Sequence, residues 1–227
     1  MQIINGFFDF FIPRYCPSCK KKLELEENCI CDDCLSSIER ADSGRLNLEY
    51  QRKFASTEII SGFTSLFVFE KDEALQLFIH SIKYNKRFLN AKYLGNLIGE
   101  NLKEQIQNWC VDYILPVPLH SLRKADRGFN QSKYIALGIG NKLGIKVKSN
   151  ILKRRRYTET QTNLTLKERE ENISKAFQAK QERLIEGKTF LLVDDVITTG
   201  ATIHECGKVL LEAGAAKIYS CSAAIAE

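Results

Sequence analysis

The residues best suited to chemistry lie near the carboxyl end of the chain, directly after an apolar run at positions 190–193. Two acids, Asp194 and Asp195, end that run, and a small polar turn follows them. The turn consists of Thr198, Thr199, Gly200, Ala201 and Thr202. Carboxylates accept hydrogen bonds from hydroxyl groups, whereas backbone N–H groups at a helix start attract phosphate. The acidic pair and the turn therefore predict a site for a phosphorylated sugar.

A strand and a helix must position these residues. The apolar run is typical of a buried parallel strand. Beyond the turn, apolar residues recur at helical spacing from Ile203 to Ala213, which predicts a helix. We expect Gly200 to let the backbone approach a phosphate closely because it has no Cβ. Ligands of open parallel sheets bind beyond the carboxyl ends of strands, where this turn would lie.

A second anion site is predicted after another apolar segment, VDYILPVP at positions 111–118. This segment is typical of the first strand of a parallel sheet, and a helix is expected from Ser132 to about residue 143. Between them lies a loop with Arg123, Lys124 and Arg127, followed by Gly128. Arginine can bind phosphate oxygens through two parallel hydrogen bonds, so this loop would suit pyrophosphate. An ordinary solvated basic loop is the alternative interpretation.

A polar, basic segment at positions 150–172 lies between the two predicted sites along the chain. It contains Arg154, Arg155 and Arg156 and has few apolar anchors. We expect a mobile flap that closes over a reactive phosphate and excludes water. The alternative is a surface charge run, which could bind nucleic acid.

Four cysteines near the amino end form two CxxC pairs separated by eleven residues, namely Cys16, Cys19, Cys31 and Cys34. Such pairs supply four thiolates for a tetrahedral structural Zn²⁺ site. A disulfide framework is the alternative, and a cytoplasmic location argues against it. Cys29 could replace Cys31 as a ligand, but the CxxC spacing favours Cys31.

Composition indicates a folded protein with one full domain and a small appendage. The chain has 227 residues, of which 44% are hydrophobic, and its net charge is +5. Bulk disorder is excluded, and so mild a positive charge does not establish a nucleic-acid partner. No apolar run is long enough to span a bilayer, and the start lacks the basic residues of a signal peptide, so we expect a cytoplasmic protein. No GxxxxGK[ST] or properly placed GxGxxG motif is present, which argues against a P-loop ATPase or a dinucleotide fold.

Hydrophobic periodicity predicts the remaining elements. We expect a short amphipathic helix over residues 3–12, a linker over 36–56 and a strand within 58–70. Two helices should follow over 71–84 and 89–106, and a last strand over 216–225. The predicted domains are an N-terminal helix with a zinc ribbon at 1–45 and an α/β domain at 46–227, whose mainly parallel sheet carries helices on both faces.

The segment at 190–202 resembles the phosphoribosyl-pyrophosphate (PRPP) signature of type I phosphoribosyltransferases at all thirteen positions. The cysteine pairs, the stretch VPLHSLRKADRGFNQ, the stretch RRRYTETQTNLTLKEREENISKAF and the Lys83–Tyr84 pair extend the likeness. With them the whole chain resembles the ComF/GntX family. That family is associated with natural DNA uptake and is built on a type I phosphoribosyltransferase-like fold.

The resemblance implies roles for the site residues. Asp194 and Asp195 would hold the ribose 2′- and 3′-hydroxyls, and the turn from Thr198 to Thr202 the 5′-phosphate. Arg123, Lys124 and Arg127 would stabilise the leaving pyrophosphate, with Asp194, Asp195 and Arg127 as the catalytic residues. Mg²⁺ would bind through PRPP oxygens with few protein ligands.

Two functional hypotheses follow. The first is a phosphoribosyltransferase that passes the phosphoribosyl group of PRPP to an unidentified nitrogen acceptor. The second is a non-catalytic PRPP-binding competence factor that binds single-stranded DNA or the DNA-uptake machinery. Its support is the placing of aromatic residues beside cations, as with Arg127 and Phe129, because bases stack on aromatic rings in single-strand binding.

Overall fold

The computed structural model describes residues 13–69, 73–84, 87–155 and 176–226. Its main sheet has four strands in the order β1-β6-β5-β2, and every neighbouring pair is parallel. The strands are β1 (Gly62–Phe69), β2 (Tyr113–Pro116), β5 (Thr189–Ile197) and β6 (Lys217–Ala226). A separate antiparallel ribbon pairs β3 (Leu152–Arg154) with β4 (Phe177–Ala179). The predicted parallel sheet is therefore confirmed.

Helices cover both faces of the sheet. In chain order they are α1 (Asp32–Ser37), α2 (Ser43–Lys53), α3 (Glu73–Tyr84), α4 (Phe88–Asn101), α5 (Lys103–Asn108), α6 (Ser121–Arg127), α7 (Gln131–Leu143) and α8 (Ala201–Glu212). Short 3₁₀ turns occupy Ala55–Thr57 and Glu182–Leu184. Among the described ranges, no helix has the length and apolar character needed to cross a membrane.

The apolar run of β5 divides its side chains between two cores, as the period of a strand requires. Leu191 and Val193 belong to the core that includes residues of α3, α4 and α7. Phe190 and Leu192 belong to the opposite core, which includes residues of α8. Burial on both faces explains why the run is continuously apolar rather than alternating.

Helices α4 and α7 pack so closely that each needs a glycine at the contact. A Cβ on Gly138 would lie 2.4 Å from the carbonyl oxygen of Lys92, and one on Gly95 would lie 2.1 Å from that of Ile135. Because these are backbone atoms, neither clash could be relieved by a side-chain rotation. The close packing fixes the position of α7, whose first turn borders the candidate site.

The predicted linker over 36–56 is wrong in part, because α2 lies within it. The Asp42 side chain caps the helix by accepting a hydrogen bond from the backbone N–H of Arg45 at 2.7 Å. Residues 39–41 pair with the edge of β1 immediately before this cap. The predicted domain boundary after residue 45 falls inside α2, and the division into 1–45 and 46–227 stays a prediction.

Two further expectations need correction. The basic loop after β2 contains a helix, α6, which the His120 side chain caps and Gly128 ends at a φ of 78°. The single helix expected over 89–106 is two helices, α4 and α5. The predicted amphipathic helix over 3–12 and most of the predicted flap, including Arg156, lie outside the described residues.

Candidate functional site

The acidic pair lies within the last part of β5, where Asp194 is in register with Ser222 of β6. The Ser132 hydroxyl, from the first turn of α7, donates a hydrogen bond of 2.8 Å to Asp194 Oδ1. The Asp195 side chain forms an ion pair of 2.9 Å with Lys83 Nζ, from the last turn of α3. Elements from three parts of the chain therefore position the two carboxylates.

The two acids differ in their protonation. Burial raises the pKa of Asp194 to about 7, and the adjacent charge of Asp195 acts in the same direction. Burial also opposes ionisation of Asp195, but the charge and hydrogen bond of Lys83 and the backbone N–H of Val196 outweigh it, so the pKa of Asp195 is lowered. The pair therefore titrates in separate steps, and Asp195 is the acid that stays ionised at neutral pH.

The polar turn leads directly into α8. Gly200 precedes the helix with a φ of 78°, a conformation that glycine adopts without steric cost. A Cβ at this position would also lie 2.8 Å from the ring of Phe54, at the end of α2. The Thr199 hydroxyl accepts a hydrogen bond of 3.4 Å from the N–H of Ala201. The helix has twelve residues, and its first backbone N–H groups are oriented to receive an anion.

A cleft of about 410 Å³ opens beside this turn. It is lined by Arg52, Lys53, Ser56, Thr57, Thr199, Gly200, Ala201, His204 and Glu205. Thr199, Gly200 and Ala201 belong to the turn predicted to bind phosphate, so the cleft lies beside that turn. The sequence pattern gave no reason to include the residues from α2 and the 3₁₀ turn after it.

The three predicted pyrophosphate cations lie on α6 but do not share one surface. Arg127 donates a hydrogen bond of 3.2 Å to Gln131 Oε1, and its guanidinium lies 5.9 Å from the centre of the Tyr84 ring. Its charge also helps to lower the pKa of Asp195. Arg123 is half-buried, whereas Lys124 is exposed. Arg127 is thus close enough to the acidic pair for its charge to act on Asp195.

Lys124 instead borders a second cleft, of about 610 Å³, between the segment after β2 and the base of the β3–β4 ribbon. The basic residues in its lining are His120, Lys124, Lys133, Lys153, Arg154 and Arg155. Burial and the charge of Arg123 lower the pKa of Arg154, while Asp194 acts in the opposite direction. Arg154 therefore lies close enough to Asp194 and to Arg123 of α6 for both charges to shift its pKa.

The four predicted metal ligands lie together. The sulfurs of Cys16, Cys19, Cys31 and Cys34 are within 4.8 Å of one another. In a tetrahedral zinc site with Zn–S bonds of about 2.3 Å, the sulfurs are separated by about 3.8 Å, so the cluster has the right size. Cys29 is not part of this cluster, as the CxxC spacing predicted.

Within the cluster, the local structure shifts the pKa values of three cysteines in different directions. Burial opposes ionisation of Cys16, but backbone N–H groups, including those of Cys31 and Cys19, donate to its sulfur and lower its pKa to about 6. Burial raises the pKa of Cys31 and of Cys34. A divalent metal between the four sulfurs would favour the thiolate form of Cys31 and Cys34 against this effect of burial.

Sequence reasoning missed the partners that hold the carboxylates. The sequence pattern marks Ser132 only as a helix start and indicates no contact for Lys83. The hydrogen bond between Ser132 and Asp194 joins residues 62 positions apart, so local periodicity has no signal for it. Lys83 lies in the Lys83–Tyr84 pair that contributed to the family resemblance, and this was the one available hint.

Comparison with known proteins gives the following matches. Residues 130–225 match the family model described as a phosphoribosyl transferase domain. The chain is 28% identical over 223 residues to "Competence protein F" of Haemophilus influenzae, covering 94% of this chain and 96% of that protein. It is 29% identical over 219 residues to "DNA utilization protein YhgH" of Salmonella typhi, covering 91% of this chain and 95% of that protein. It is 28% identical over 210 residues to "Competence protein ComFC" of Streptococcus pneumoniae, covering 88% of this chain and 89% of that protein.

Solved structures give weaker matches. A structure described as the allosteric regulatory enzyme of purine biosynthesis is 24% identical, with a TM-score of 0.39, and the match covers 59% of this chain and 25% of that one. A hypoxanthine-guanine phosphoribosyl transferase of L. donovani is 14% identical, with a TM-score of 0.36, and the match covers 60% of this chain and 71% of that one. The family match, together with the parallel sheet and its flanking helices, confirms the predicted phosphoribosyltransferase-like fold.

Proposed function

We propose that this chain, a homologue of the competence protein F, ComFC and YhgH proteins with a phosphoribosyl transferase domain, binds PRPP and transfers its phosphoribosyl group to a nitrogen acceptor. The names of these relatives support a role of that reaction in the uptake or use of DNA. The protein would carry it out in the cytoplasm.

One observation carries the proposal. The Asp194–Asp195 pair lies in the last part of β5, a short turn leads from the end of that strand to the N-terminus of α8, and a cleft of about 410 Å³ opens beside that turn. Ribose hydroxyls need strong acceptors, and a 5′-phosphate needs several donors. The carboxylate acceptors come before the turn and the phosphate donors come after it. This order matches the separation between the ring hydroxyls and the 5′-phosphate of ribose 5-phosphate.

The residues have distinct tasks in this reaction. Ionised Asp195, held by Lys83, accepts a hydrogen bond from one ribose hydroxyl, and Asp194, held by Ser132, accepts from the other. The turn from Thr198 to Thr202 holds the 5′-phosphate. These contacts fix the sugar so that the acceptor nitrogen forms a bond to C1 as the bond from C1 to the pyrophosphate oxygen breaks.

The leaving group takes both electrons of the broken bond and gains negative charge. Arg127, beside the acidic pair, and Arg123, on the same face of α6, stabilise that charge. Lys124 acts from the outer side of α6, and Arg154 supplies a further cation from the base of the β3–β4 ribbon. Mg²⁺, when bound with PRPP, neutralises the pyrophosphate charge and orients it.

The cysteine cluster is proposed as a structural Zn²⁺ site. All four ligand positions would be filled by sulfur, which leaves no position open for a substrate. Cys16 and Cys31 are buried in the core that also contains residues of α3 and α4. The metal would therefore stabilise the region that precedes the α/β domain.

A second candidate function is a non-catalytic PRPP-binding factor that holds single-stranded DNA. The cleft of about 610 Å³ favours it, because its lining combines basic side chains with the aromatic rings of Phe129 and Tyr134. Cations beside rings bind nucleotide chains without reading their sequence.

Pyrophosphate release distinguishes the two functions. The purified protein is incubated with Mg²⁺, PRPP and a panel of amines and nucleobases, and released pyrophosphate is measured. Acceptor-dependent release supports the transferase. No release with any acceptor, together with DNA binding that weakens steeply as salt rises, supports the binding factor.

A further inference from the structure

The carboxyl end of α2 forms one wall of the cleft beside the polar turn. Arg52, Lys53 and the hydroxyl-bearing Ser56 and Thr57 lie on this wall. Helix α2 precedes the segment that matches the phosphoribosyl transferase family model, which begins at residue 130. The cleft is thus shared between the matched segment and a helix outside it.

The two walls are in direct contact at their base. A Cβ added to Gly200 would lie 3.4 Å from Lys53 Cβ and 2.8 Å from the ring of Phe54. Phe54 is fully buried, and the Tyr50 hydroxyl donates a hydrogen bond of 2.8 Å to the carbonyl of Ile60. These contacts hold the end of α2 rigidly against the turn.

Cations cluster around a buried acid at this end of α2. Glu49 has no exposed side-chain surface and is approached by three cations. Lys53 Nζ lies 2.7 Å from Glu49 Oε2, Arg52 Nη1 lies 3.2 Å from Glu49 Oε1, and Arg45 Nε lies 3.6 Å from the same oxygen. In these three contacts a single carboxylate is shared by three cations. Glu205, on the opposite wall, is the one acid in the cleft lining.

The two cations differ in accessibility. The Lys53 side chain is 8% exposed, whereas that of Arg52 is 54% exposed. The planar guanidinium of Arg52 has five N–H donors, more than its contact with Glu49 uses. A half-exposed arginine fixed at its inner side is well placed to bind a phosphate through two parallel hydrogen bonds.

We propose that Arg52 and Lys53 bind the 5′-phosphate of the ligand, opposite the backbone N–H groups of α8, and that Glu49 is a positioning residue for both. This inference rests on the proposed function for the identity of the ligand. Its consequence is that the protein selects phosphorylated over unphosphorylated sugars through a helix that the family match does not include.

The test compares Arg52→Ala with Arg45→Ala in the full-length protein. Both substitutions remove a cation from Glu49, but Arg45 does not line the cleft. Calorimetric titrations use ribose 5-phosphate, pyrophosphate with Mg²⁺, and inorganic phosphate. Loss of a charge-assisted phosphate contact should weaken ribose 5-phosphate binding by about 10- to 100-fold in Arg52→Ala. Pyrophosphate binding should stay within about twofold, Arg45→Ala should bind as wild type, and Arg52→Lys should recover part of the affinity.

Three results would overturn the assignment. They are wild-type affinity for ribose 5-phosphate in Arg52→Ala, an equal loss in Arg45→Ala, or an equal loss for pyrophosphate. Failure of the proposed function is seen separately, as a wild-type protein that binds neither PRPP nor ribose 5-phosphate. In that case the titration with inorganic phosphate tests the role of Arg52 by itself. Weaker phosphate binding by Arg52→Ala than by wild type supports the role. Equal binding by the two proteins, or no binding by wild type, refutes it.

Discussion

The Lys83 ammonium lies 2.9 Å from Asp195 Oδ2, and this ion pair joins the last turn of α3 to the carboxyl end of β5. Both side chains are mostly buried, at 23% and 17% exposure. The pair keeps Asp195 ionised next to Asp194, which burial favours in its protonated form. In the proposed function, the pair holds a charged acceptor ready for a ribose hydroxyl before the ligand binds.

Replacing Lys83 by Met should destabilise the protein more at pH 8 than at pH 5. Without the ammonium, two adjacent carboxylates share a partly buried site, and at pH 8 both are ionised. We expect the free energy of unfolding to fall by about 1–3 kcal/mol at pH 8 and by less at pH 5. Urea titrations at the two pH values measure this difference. An equal loss at both values would show that Lys83 acts through packing of its aliphatic chain.

Asp194 should give the stability a distinctive pH dependence. Because its pKa in the folded state is raised from 3.8 to about 7, its contribution is fully present below pH 3.8 and is lost as the pH rises through 7. Asp194→Asn keeps an oxygen for the Ser132 hydroxyl but cannot ionise. The variant should match wild type near pH 4 and exceed it at pH 8, by on the order of 1–4 kcal/mol. A variant less stable than wild type at pH 8 would contradict the raised pKa.

The sequence predicted the parts of the fold that depend on local pattern. The continuous apolar run of β5 and the helical spacing after Gly200 located the start of the central strand and both ends of α8 within one or two residues. The strand continues to Ile197, four residues beyond the apolar run, so the two acids lie inside it and not after it. The CxxC spacing selected the four cysteines that cluster, because each pair of sulfurs is brought together by its own short turn.

The parts that were missed depend on distant contacts or on a polar helix. Nothing near Ser132 in the chain indicates that its hydroxyl reaches Asp194. Helix α2 was predicted as linker because few of its residues are apolar. Leu46 and Tyr50 pack against the core, but the residue that is fully buried is Glu49. The signals of this helix were the cap at Asp42 and the four-residue spacing of Arg45, Glu49 and Lys53, which brings opposite charges together on a helix.

The cysteine cluster should hold one zinc ion per chain, measured by elemental analysis of freshly purified protein. Cys16→Ser and Cys34→Ser should lose the metal, since each removes one of four sulfurs. Cys29→Ser is the matched control and should keep it, because Cys29 lies outside the cluster. Zinc that is absent from wild type, or lost from Cys29→Ser but retained in Cys31→Ser, would refute this ligand set.

The arginines of α6 should recognise the leaving group rather than the sugar. Arg123→Ala combined with Arg127→Ala should weaken binding of pyrophosphate and PRPP by about 10-fold or more. Ribose 5-phosphate, which lacks the pyrophosphate, should bind almost as it does to wild type. Calorimetric titration of the three ligands provides the comparison. Equal losses for pyrophosphate and ribose 5-phosphate would place these arginines in another role.

The most direct test is calorimetric titration of the wild-type protein with PRPP and Mg²⁺, accompanied by thermal melting. We expect measurable heat and a raised melting temperature, because a ligand that binds only the folded state stabilises it. Asp194→Asn combined with Asp195→Asn should remove much of both signals, at about 1.5–3 kcal/mol for each charge-assisted hydrogen bond lost. Thr199→Val should weaken binding by removing one hydroxyl of the turn. A wild-type protein that gives neither heat nor a thermal shift at saturating PRPP and Mg²⁺ would contradict the account.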